Sequence, residues 1–166
     1  MAEPIVELIA ANLAAAITNA LPAIRTAAGL TSAEGAVERP KRLVGESRPA
    51  HGLIVIAQED MPRAGDPDYP GNPNAVGYKQ PFGVYCGYRP GDDATVALDT
   101  MLNRFAAAVA KAIMADPTRG GNAIGPETEI EGVEYLHDDP SGTACGAMLR
   151  VAVTYRVSEK DWTQKG

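Results

Sequence analysis

The residue types that do chemistry are sparse in this sequence: two histidines, His51 and His137, and two cysteines, Cys86 and Cys145. Cys86 with His51 would make a nucleophile and base. Cys86, however, is flanked by Val84, Tyr85 and Tyr88, and no helix N-terminus or basic cluster nearby would lower its pKa. A structural thiol is the expected reading. The stretch "HDDPSG" at 137–142 groups a histidine with two carboxylates, but neighbouring residues of a polar turn point in different directions. Metal ligation needs a convergent spacing such as H-E-x-x-H on a helix, which is missing, whereas Asp-Asp-Pro-Ser-Gly is what a hairpin turn uses for backbone reasons. "RPGDDAT" at 89–95 resembles an acidic metal loop, yet Asp92, Asp93 and Thr95 are equally suited to capping a following helix. The Gly-Gly of "KAIMADPTRGGNA" (111–123) follows a helical pattern. A phosphate cradle precedes a helix, where free N–H groups point at the anion. No P-loop, G-x-S-x-G elbow or dinucleotide fingerprint occurs. An enzyme is not expected, and no cofactor or metal is implied.

The elements that would position these residues follow from periodicity. Ile5, Ile9, Leu13, Ile17 and Leu21 share a face of a helix over 3–21, with Pro4 in its first turn. Residues 22–36 read as a loop or a frayed extension. A strand over 37–45 is restricted to an edge or bulge by Pro40. "GLIVIAQ" at 52–58 is an unbroken aliphatic run, expected to lie centrally and covered on both faces. Residues 59–80 carry four prolines and three glycines without periodicity and read as one long loop. "PFGVYCGYR" (81–89) alternates as a strand. A second helix runs to about Met114, with Leu98, Met101, Leu102, Phe105, Val109 and Ile113 as its apolar stripe.

After the Pro117 and Gly120–Gly121 turn come strands at 127–136 and 145–157, the latter alternating from Leu149 to Val157. In the first of these, polar–apolar parity changes at Gly132. A bulge there puts Glu129, Glu131 and Glu134 on one face and Ile130, Val133 and Tyr135 on the core face. The expectation is a single α+β domain over 1–166, a mostly antiparallel mixed sheet flanked by two main helices in the order α-β-β-β-α-β-β, with a short C-terminal tail at 158–166.

Composition limits the rest. A net charge of −6 argues against a chain that grips phosphate backbones. Glu3 and Glu7 stand where a signal peptide is basic, Asn12, Thr18 and Asn19 interrupt the apolar N-terminal run, and no span of membrane length is expected. Cysteines this few and this far apart suit free thiols in a reducing, cytoplasmic compartment.

Three stretches, "AKAIMADPTRGG" (110–121), "TEIEGVEYL" (128–136) and "AMLRVAVTYRVSEKDW" (147–162), together with the element order and the N-terminal amphipathic helix, resemble the tail terminator (tail completion) proteins of long-tailed bacteriophages or prophage-derived particles. The long 59–80 loop departs from that pattern, and head–tail connector and neck proteins share similar designs. The resemblance implies a virion protein assembled in the host cytoplasm. It would form a homo-oligomeric ring, commonly of six copies, at the head-proximal end of the tail tube. There it would stop polymerisation of the tail tube protein and present a surface to the head connector or stopper, with DNA passing through the bore without specific binding. A small-molecule-binding regulatory domain, and a hydrolase or nuclease using the acidic cluster, are the alternatives from other classes. Candidate interaction residues are the basic Arg39, Lys41 and Arg42, the loop aromatics Tyr69 and Tyr78, and the acidic Glu129, Glu131 and Glu134. Between 127 and 139 no lysine or arginine occurs. Such a strand face lines the bore, meets a neighbour's basic segment, or is simply solvated.

Overall fold

A computed structural model describes residues 2–30, 35–39, 52–59, 75–88, 96–123, 128–136, 145–158 and 160–165. Two helices and five strands follow in the expected order: α1 (Ile5–Ala28), β1 (Ala36–Glu38), β2 (Leu53–Gln58), β3 (Ala75–Tyr88), α2 (Leu98–Met114), β4 (Thr128–Leu136) and β5 (Cys145–Ser158). The strands form one mixed sheet, β1-β2-β3-β5-β4, in which only the β1–β2 pairing is parallel. This is an α+β domain.

Both helices pack on one face of the sheet. Ile9, Leu13 and Ile17 of α1 and Leu102, Phe105, Val109 and Ile113 of α2 interlock with Ile54, Phe82, Val84, Leu149, Val151, Val153 and Tyr155, all fully buried or nearly so. α1 lies over β1 and β2, and α2 lies over β5, β3 and β4. Among the described residues, helices cover the aliphatic run of β2 on one face only. Ile54 and Ile56 are buried under the helices, while Val55 and Ala57 are half-buried on the other side.

α1 runs seven residues past Leu21, where a loop is expected from composition, and passes through Pro22. Proline removes one helical N–H and crowds the preceding turn. Pro22 is exposed, however, and Ile24 and Ala28 beyond it are buried, so packing holds the last turns in place. Gly29, with φ 66°, ends the helix in the left-handed region. By length and a mean hydropathy of 1.5, α1 would also pass as a membrane span, contrary to expectation, because the polar residues interrupting it are uncharged. Pro4 is the residue before the helix, and its carbonyl accepts from the Glu7 and Leu8 N–H groups.

The larger correction is β3, which begins at Ala75 and absorbs the last six residues of the expected 59–80 loop. Val76, Tyr78 and Gln80 continue its inward alternation, and its fourteen residues pair in unbroken register with β5, Ala75 against Ser158 through Tyr88 against Cys145. Pro81 sits inside this non-edge strand. Its carbonyl accepts from the Glu59 N–H, so its missing N–H faces β2 where that strand ends. The Glu59 carbonyl thus left over accepts from Nε2 of the buried Gln80 at 2.8 Å, which replaces the absent backbone donor.

α2 begins at Leu98 after Ala97, so Asp92, Asp93 and Thr95 are not its caps; they lie outside the described residues. The expected strand at 37–45 is described only as Ala36–Glu38. The expected bulge is present: the β4–β5 register shifts between Ile130 and Gly132. The C-terminal residues are no free tail. The Trp162 carbonyl accepts the first N–H of α1 (Ile5) at 3.1 Å, and the Trp162 ring packs on Tyr78 with centroids 4.9 Å apart.

Candidate interaction surface of the sheet

The face of the sheet turned away from the helices carries no helix among the described residues. It exposes alternate residues of β2–β5, including Val55, Lys79, Tyr85, Glu129, Glu134, Met148, Arg150 and Arg156. It is flat in places: a Cβ added at Gly77 or Gly132 would meet nothing within 4 Å. At Gly146, by contrast, the Tyr85 ring lies directly over the glycine and fills the space a side chain would take.

The acidic strand is where the bulge was expected to put it. Glu129 pairs in register with Ala152 and Glu134 with Met148, both outward positions of β5, while Ile130 and Val133 oppose the core residues Val151 and Leu149. The carboxylates are not left to repel one another. Lys79 Nζ lies 2.8 Å from Glu131 and 3.1 Å from Glu129, and Arg150 Nη2 donates to Glu134 at 3.0 Å. Lys79 stands on β3, two strands from β4, a gap of about 9.5 Å. It reaches across β5, where its own register partner is Thr154 and that of Glu129 is Ala152. The carboxylates, Glu131 first, hold the Lys79 ammonium above its ordinary pKa, and Glu134 does the same for Arg150. These pairs are exposed, so their Coulomb energy is screened and their role is chiefly to order the surface. Glu38 and Glu59 belong to the same face, so among the described residues carboxylates outnumber the cations Lys79, Arg150 and Arg156 there.

The other candidate residues do not join this surface. Arg39 makes a two-pronged ion pair with Glu7 of α1, at 2.6 and 2.9 Å, which holds the Glu7 carboxyl below its usual range. Tyr78 is part of β3 on the helix side, stacked on Tyr155 at 5.9 Å, and is not a loop anchor. Lys41, Arg42 and Tyr69, and also His51 and His137, lie outside the described residues. Lys79 and Arg150, the partners of the acidic strand, escaped the sequence reading. Lys79 fell in the segment read as loop, and only register reveals that Arg150 adjoins Glu134.

The turn after α2 is a structural hub. Asp116 accepts from Thr118 Oγ1 and N (2.7 and 3.1 Å), Gly120 N (2.7 Å) and Asn12 Nδ2 of α1 (3.1 Å). Thr118, foremost among these donors, holds the Asp116 carboxyl below its ordinary pKa. Arg119, with φ 52°, turns its side chain inward to full burial, where it donates to Thr128 Oγ1 and to the Ile113 carbonyl. "ADPTRGG" thereby ties α1, α2 and β4 together.

Cys86 and Cys145 are free and buried. Burial pushes the Cys86 thiol up to about 12 and that of Cys145 up to about 11, so neither supplies a thiolate near neutrality. Among the described residues no three His, Cys, Asp or Glu side chains converge as a metal site. Comparison of the chain with protein-family models and with curated proteins finds no match.

Proposed function

We propose that this chain is a structural virion protein of the tail-terminator type, forming a ring on the head-proximal end of a phage tail tube. The observation that supports this reading most is the sheet face opposite the helices, which among the described residues is broad, net acidic and without a covering helix. In a ring whose bare faces turn inward, the carboxylates of Glu129, Glu131, Glu134, Glu59 and Glu38 repel a passing polyanion. Lys79 and Arg150, already engaged in ion pairs, are held back from phosphates. The element order and the three stretches resembling terminators support the same reading. The ring ends growth of the tube on one side and meets the head connector on the other.

Deletion of the gene in a particle-producing strain tests the proposal. Tails of uncontrolled length that fail to join heads are expected. Normal tail lengths and normal head joining would remove it. The bore assignment has its own test in the triple substitution Glu129→Lys, Glu131→Lys, Glu134→Lys, which should leave rings intact in electron micrographs and slow DNA passage. Loss of rings would instead place the acidic strand between subunits.

A further inference from the structure

The helical layer is narrower than the sheet it covers. Five strands span about 24 Å at ~4.8 Å each, whereas two helices cover about 20 Å. β4, at one edge of the sheet, is reached by α2 along its inner side only. Its core-face residues Val133 and Tyr135 are 40% and 39% exposed, although they point to the side on which the helices lie. α2 borders them with the stripe Asn103, Ala107, Ala110 and Met114, one turn apart along the helix, and Asn103 accepts from the Tyr135 hydroxyl. Met114 is 42% exposed. An apolar groove therefore runs between α2 and β4, about 16 Å long on its helical side from Asn103 to Met114, with Val133 and Tyr135 forming its strand side.

The outer face of α1 matches it. Leu8, Ala11, Ala15, Asn19 and Pro22 form one exposed stripe at helical spacing, and no charged residue lies between Glu7 and Arg25. Leu8 to Asn19 covers the same ~16 Å. The far margin of the exposed face of α2, by contrast, carries Arg104 and Lys111, and Asp99, one turn before Asn103, stands at the end of the groove stripe. Of the six large apolar side chains exposed among the described residues, three line the groove and a fourth, Leu8, lies on this stripe.

We infer that the outer face of α1 from a second copy of this chain occupies the α2–β4 groove. The inference rests on the ring reading and deepens it. Helix face and groove are different patches of one chain, so the contact is head-to-tail, the class that closes into rings or extends into filaments. A neighbour's helix supplies the cover that β4 lacks.

The test is a charge pair at two exposed positions. Ala15→Lys and Ala107→Glu each place a charge in the buried contact and should each weaken self-association of the purified full chain about tenfold or more in sedimentation. The double variant A15K/A107E should recover most of the loss, and a mixture of the two single variants should co-assemble. Unchanged circular dichroism melts show that the fold is intact. Single variants that associate like the wild type, a double variant no better than the singles, or a wild-type chain still monomeric at millimolar concentration would each overturn the contact. Normal rings from both single variants overturn it while leaving the ring reading standing. Open filaments abolished by either substitution support the contact and count against the closed ring.

Discussion

At the residue scale, the informative side chains are those whose burial or partners depart from the ordinary. Asp116 accepts four hydrogen bonds, and its depressed folded pKa sets the sign of its pH dependence. Its contribution is complete above the ordinary aspartate value of about 4 and is lost as pH falls through the lower folded value. Glu7, held down by Arg39, acts in the same direction. Melting temperature should therefore drop on acidification below about pH 4, and Asp116→Asn should flatten that part of the profile. Arg119→Ala removes the buried bonds to Thr128 and Ile113 and should cost about 2–4 kcal/mol in urea unfolding. The thiols provide a second check. With both pKa values pushed far above neutrality, iodoacetamide at pH 7.5 should label neither Cys86 nor Cys145 in the native chain and both after denaturation. Rapid native labelling would show the strands open there.

At the scale of elements, glycine and proline positions separate what the backbone demands from what it merely tolerates. Gly132 marks the bulge, yet its φ is not positive and a Cβ there meets open space. Gly132→Ala should cost well under about 1 kcal/mol. Gly146→Ala, on the same face, must displace the Tyr85 ring and should cost about 1–3 kcal/mol. Equal melting temperatures for the two variants would contradict the packing of Tyr85 over β5. Pro22 interrupts the α1 ladder at an exposed site, so Pro22→Ala restores a helical N–H and should raise stability by about 1–3 kcal/mol.

At the scale of the whole molecule, the C-terminal residues close the domain. Trp162 is the only tryptophan, its carbonyl holds the first N–H of α1, and Lys165 reaches the Gly121 carbonyl of the turn after α2. One end of the fold is thus tied by three segments far apart in sequence. Tryptophan emission should report this closure directly. A chain ending at Ser158 should lose stability cooperatively, and in the full chain Trp162 emission should change together with the global unfolding transition. An earlier, separate transition would show a tail that docks without supporting the domain.

Much of this arrangement is local and was legible in order of residues alone. The helix stripes, the alternation of β5, and the parity change at Gly132 each depend on neighbours within a few positions, so element order, fold class and the shared face of Glu129, Glu131 and Glu134 follow from spacing. What spacing could not supply was decided by partners distant in the chain. The continuation of α1 through Pro22 depends on burial of Ile24 and Ala28. β3 starts at Ala75 because β5 offers fourteen paired positions, a long-range pairing that outweighs the glycine and proline content of the segment. The charge state of the sheet face turned on Lys79 reaching across β5 to Glu129, a contact between residues fifty positions apart. Propensity and periodicity describe what each segment can bury. Only the packed sheet determines which strand lies beside which, and so which carboxylate finds a cation and which apolar edge is left uncovered.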